Sequence, residues 1–171
     1  MTDRAPEFSR PVPLARLGPD GYCQEIAANA AERAALARRF GLLTLDRLAA
    51  TVELRREAAG TILLSAAFAA EFSQECVVSL EPVAGEVAGD FSLRYGAVES
   101  EIDDVAGDGP AFEPLEGDTI DIGEAVAQEF SLALPPFPHA AGVEIEMGAA
   151  DRESGGPFAA LAGLRARSGE G

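Results

Sequence analysis

Lysine is absent from this chain, and all 13 basic residues are arginine. That excludes a Schiff-base lysine and the lysine of a phosphate-binding P-loop. Tryptophan is also absent and aromatics reach only 6%, so a core has to rely on Leu, Val, Ala and nine Phe. Cys23 and Cys76 are the only cysteines among 171 residues, too few for a disulfide framework. No stretch approaches the ~18 apolar residues that a membrane span needs. The opening MTDRAPEFSRPVPL has acids and prolines but no apolar run, unlike a secretory signal. The expectation is a cytoplasmic protein that touches no membrane.

Apolar residues make up 47% of the chain, enough for an ordered domain. A single domain over 1–171 is expected, with its core at about residues 7–135. The net charge is −16 and is unevenly placed. Residues 1–58 hold nine arginines against eight acids, a net of +1; residues 59–171 hold four against 21, a net of −17. The second part would repel a phosphate backbone. Direct contact with nucleic acid would fall to Arg33, Arg38, Arg39, Arg47, Arg55 and Arg56, although the simpler reading of these is ordinary solvated charges.

Local patterns predict the elements. FSRPVPL (8–14) suits an edge strand, since its prolines cannot donate ladder hydrogen bonds. GYCQEIAA (21–28) reads as a short strand. Asn29 with Glu32 forms a capping box and Gly41 a left-handed stop, predicting a helix over 30–40. TVELRRE (51–57) and TILLSAAFAAEFS (61–73) alternate as a hairpin, VVSL (77–80) continues the strand, and EPVAG (81–85) turns. EVAGDFSLRY (86–95) has the cleanest alternation. Residues 96–118, rich in acids and free of arginine, read as a mobile acidic loop. Asp121 and Glu124 open a helix over 122–132, stopped by Pro135. A loop over 136–156 and a short helix over 157–167 complete the chain. The fold class is α+β: a curved, mostly antiparallel, barrel-like sheet with two main helices.

Little in the chain nominates chemistry. Cys76 has Ser79 where a second thiolate of a metal knuckle would sit, and zinc needs about four ligands. Glu71, Glu75 and Glu81 oppose the electropositive surroundings of a reactive thiol. Cys76 therefore reads as a small hydrophobe. His139, in PPFPHAAG, has no adjacent nucleophile or orienting carboxylate. The acids fit no EF-hand spacing. No metal, no cofactor and no catalytic residue is expected, and the chain reads as a non-enzymatic binding or assembly module.

Three stretches in order carry a resemblance: FAAEFSQECVVSLEPV, FEPLEGDTIDIGEAVAQEFSLALPPFP and PFAALAGLR. Together they resemble the YceD family, the large ribosomal RNA subunit accumulation proteins of bacteria and plastids. The matching positions are Cys76, Glu81, Pro82, Leu134, Pro135, Pro157 and Phe158. The resemblance implies a part in accumulation of the large-subunit (23S) ribosomal RNA, hence in ribosome biogenesis, without enzymatic activity. Members of that family often carry a second cysteine where Ser79 stands, and some carry more after the Leu-Pro exit. A metal role in such relatives is therefore not implied for this chain.

Two modes of action are expected. One is binding a basic ribosomal protein or assembly intermediate through the acidic surface, with Asp118, Asp121 and Glu124 as contacts. The other is direct binding of ribosomal RNA through Arg33, Arg38, Arg39, Arg55 and Arg56. A carboxylate-based hydrolase is the remaining alternative, and it would need carboxylates converging in a deep pocket.

Overall fold

The computed structural model describes residues 6–57, 60–97, 110–115 and 117–142. The chain divides into compact units over residues 1–141 and 142–171, and of the second only Gly142 is described. The short C-terminal helix expected over 157–167, with Pro157 and Phe158, lies outside the described residues.

Seven strands and two helices follow in the order β1 (Pro11–Pro13), β2 (Tyr22–Ala27), α1 (Ala30–Phe40), β3 (Thr44–Arg56), β4 (Ile62–Glu75), β5 (Pro82–Gly96), β6 (Ala111–Pro114), β7 (Thr119–Asp121) and α2 (Ile122–Ala133). Strands β2 to β6 form one sheet in sequence order, antiparallel except for the β5–β6 pair. β1 and β7 form a separate antiparallel ribbon.

The α+β class holds, with two helices on a mostly antiparallel sheet. Three expectations need correction. The sheet is not closed into a barrel: among the described residues its ladder ends at β2 on one side and β6 on the other. VVSL is a turn, and the expected turn EPVAG instead opens β5, with Pro82 tolerated as the strand's first residue. Part of the expected acidic loop is the strand β6; its neighbours 98–109 and Glu116 lie outside the described residues. Pro110 precedes those four residues and Pro114 is the last of them, which hides their alternation.

Period-2 alternation gives the sheet two unlike faces. On the inner face β3 and β4 bury Leu48, Val52, Leu54, Ile62, Leu64, Phe68 and Phe72. Both helices cover this face, α1 with Leu36 and Ala37, α2 with Ile122, Ala125, Val126 and Phe130. Phe130 packs edge-on against Phe40 of α1 at 5.8 Å and Phe72 of β4 at 5.9 Å. Gly85 of β5 lies directly under Phe72, where a Cβ would meet the ring at 2.8 Å.

The segment before β1 ties the helices together. Phe8 is fully buried. Arg10 makes a two-pronged ion pair with Glu32 of α1 at 2.8 and 2.9 Å. That hydrogen bond chiefly holds the Glu32 carboxyl below its ordinary value. Glu32 also completes the capping box on Asn29 that the sequence predicts.

The outer face is built from small and polar side chains. The registers align Ala27, Ala49, Ala69 and Ala88 in one row across β2 to β5. Glu25, Thr51, Ala67 and Asp90 form the next row. Ala27, Ala67, Ala88, Glu25, Thr51 and Asp90 are all exposed.

Candidate functional site

Two of the three motif stretches meet at one end of the sheet. Residues 76–81 fold back tightly: the Cys76 N–H donates to Glu81 O at 2.8 Å and the Leu80 N–H to Cys76 O at 3.0 Å. Leu80 is pushed into the left-handed region, φ 62°, which costs a non-glycine residue about 1 kcal/mol. The Leu134-Pro135 exit of α2 then crosses this turn. Gln74 Nε2 donates to Pro135 O at 3.3 Å, and the Val77 N–H to Pro138 O at 3.0 Å.

Cys76 sits between these strands of chain, wholly out of solvent. Its sulfur accepts the Ser79 N–H at 3.4 Å and the Ala140 N–H at 3.3 Å. The Ser79 hydroxyl, then the N–H groups of Ser79, Ala140 and Val78, stabilise the thiolate more than burial opposes it, bringing the thiol down to about 6. Counting nearby charges missed this, because the donors are neutral: the Ser79 hydroxyl and backbone N–H groups set by the turn. Among the described residues no three His, Cys, Asp or Glu side chains gather closely enough to hold a metal ion. His139 is exposed, its Nδ1 within 2.7 Å of Phe137 O.

The thiolate makes a prediction. An ultraviolet thiolate titration should show one group ionising near pH 6, and Cys76→Ser should remove that step. Because the native value lies below the ordinary 9.0, this ionisation adds stability at high pH. The contribution is lost as pH falls from about 9 through 6.

The arginines do not gather into a patch. Arg39 makes a two-pronged contact with Glu124 at 2.7 and 2.9 Å and reaches Glu7 at 3.1 Å. Arg33 donates to Ala28 O, Arg56 to Leu14 O, Arg55 to Glu53, and Arg47 to Glu71. The Arg38 side chain is exposed and makes no hydrogen bond to a described residue. Two of the expected acidic contacts, Asp121 and Glu124, are also engaged within the chain. Asp121 caps α2 by accepting the Gly123 and Glu124 N–H groups, and it also accepts from Ser9 Oγ and the Arg10 N–H. Asp118 is exposed: its carbonyl accepts the Leu14 N–H at 2.8 Å, and its carboxylate accepts the adjacent Thr119 hydroxyl at 3.2 Å. Glu81 and Pro82 end the Cys76 turn and start β5.

Several carboxylates have no partner among the described residues, and three of them lie on the outer sheet face. Glu25 of β2 and Glu86 and Asp90 of β5 are exposed and pair with no described residue. Sequence reading passed over them; the signal was alternation, with Ala67, Ala69, Glu86, Ala88 and Asp90 at outward positions. A shallow depression of about 630 Å³ crosses β2, β3 and β4 on that face, lined by Glu25, Arg47, Ala49, Thr51 and Ala69 among others. No helix among the described residues is long and apolar enough to cross a membrane.

Compared with models of protein families, residues 64–165, more than half of the chain, match the model described as large ribosomal RNA subunit accumulation protein YceD. No curated protein and no solved structure matches the chain.

Proposed function

The chain belongs to the YceD family of large ribosomal RNA subunit accumulation proteins, and from that premise we propose that it acts as a non-enzymatic assembly factor. It binds a basic large-subunit ribosomal protein, or an intermediate carrying one, and protects the growing subunit without altering a covalent bond. The family supports the role in ribosomal RNA accumulation. The binding mode rests on one contrast. Arg33, Arg39, Arg47, Arg55 and Arg56 are spent on partners inside the chain, while Glu25, Glu86 and Asp90 pair with no described residue. With a net charge of −16, the protein's field draws in cations and repels phosphate.

A salt titration tests this reading. Binding to purified basic large-subunit proteins should weaken steeply as salt rises, since exposed charge attraction is screened within about 10 Å at 0.1 M. Failure to bind any of them, with tight binding to ribosomal RNA instead, would overturn it.

A further inference from the structure

The outer face of the sheet has a floor and two charged flanks. The floor is Ala49 and Thr51 of β3 with Ala67 and Ala69 of β4. One flank is Glu25 on β2, and the other is Glu86 and Asp90 on β5. Other charges of the face are paired, Arg47 with Glu71, Arg55 with Glu53, and Arg94 with Glu57, and Glu75 stands at the far end of β4. What the face offers a partner is therefore a strip of small side chains bordered by three uncompensated carboxylates. We propose that this strip is the docking surface for a Lys/Arg-rich α-helix of the basic partner. The helix lies along β3 and β4, with its cations reaching Glu25 on one side and Glu86 and Asp90 on the other. The proposal rests on the binding reading above and gives it a place and a shape.

The dimensions suit a helix. β2 and β5 are three strand spacings apart, about 14 Å, and a helix with side chains is about 10–12 Å across. Small side chains on the floor let a helix backbone approach closely. An extended segment fits less well, because the N–H and C=O groups of β3 and β4 are already paired on both sides. Its own backbone groups would be buried without partners, whereas a helix satisfies its backbone internally. Nucleic acid is disfavoured because its phosphates would meet the three free carboxylates.

The test uses the full chain and individually purified basic large-subunit ribosomal proteins, with binding read by fluorescence anisotropy. The triple variant Glu25→Gln, Glu86→Gln, Asp90→Asn should weaken binding about tenfold or more at low salt and flatten its salt slope. The double variant Ala67→Gln, Ala69→Gln should weaken binding at every salt concentration and leave the slope unchanged. All five positions are outward-facing, and circular dichroism confirms that the variants fold. If a ribosomal protein binds and neither variant weakens it, the docking surface is elsewhere and this proposal falls, while the binding reading stands. If no basic protein binds, the binding reading falls and takes this proposal with it. If a hairpin RNA binds and the floor variant blocks it, the partner class is wrong.

Discussion

Replacing Phe130 by alanine should destabilise the fold by about 3–5 kcal/mol, the usual cost of deleting a buried aromatic ring. The ring is fully buried and joins three elements, touching Phe40 of α1 and Phe72 of β4 from its place on α2. Its loss leaves a cavity between both helices and the sheet, which the long rigid strands cannot close by collapsing. On a domain of this size the midpoint of thermal unfolding should fall by roughly 10–20 °C. Phe130→Leu keeps most of the volume and should cost about 1.5 kcal/mol or less. If Phe130→Ala unfolds like the parent, the helices do not cover the inner face as described.

A second large effect is expected at Gly123, in the first turn of α2. A Cβ there would lie 2.2 Å from the Phe8 carbonyl oxygen and 3.1 Å from the Arg10 nitrogen. Both are backbone atoms, so relief requires the N-terminal segment to lift away from α2. Lifting it would break the bonds from Ser9 and Arg10 to Asp121 and draw Phe8 out of the core. Gly123→Ala should cost about 3 kcal/mol, the upper part of the usual overpacking range. An unchanged denaturant midpoint would show that the N-terminal segment is not seated where the structure puts it.

These two positions also mark how far the sequence could be read. Local signals wrote the helices plainly. Asn29, Glu32 and Gly41 cap α1 at the expected residues, and Asp121 caps α2. The strands were visible wherever alternation was strong, as in β4 and β5. The first part of β3 was not, because a register shift between Leu45 and Arg47 breaks the period and Ala49-Ala50 carries little contrast. The Cys76 turn was misread as strand because Val77 and Val78 look buried, yet both are exposed. Gly123 gave no warning at all, since its constraint comes from Phe8, far away in sequence.

The candidate surface was harder to read than the fold. Counting charges placed the acids and arginines correctly along the chain but could not say which were already paired. Arg39 and Glu124 were expected on opposite sides of two rival readings, and they bind each other. The carboxylates left over on β2 and β5 become a group only when three strand registers bring them to one face. The low thiol value at Cys76 is likewise a product of turn geometry, which brings the Ser79 hydroxyl and the N–H groups of Ser79, Ala140 and Val78 to the sulfur.

The most direct measurement is the ratio of large- to small-subunit ribosomal RNA in cells lacking the chromosomal gene and expressing one version of the protein. The parent chain should restore the ratio, and so should Arg38→Ala/Arg55→Ala, whereas Glu25→Gln/Glu86→Gln/Asp90→Asn should not, despite equal protein levels. Full rescue by the carboxamide variant, with loss of rescue on removing the two arginines, would contradict the account.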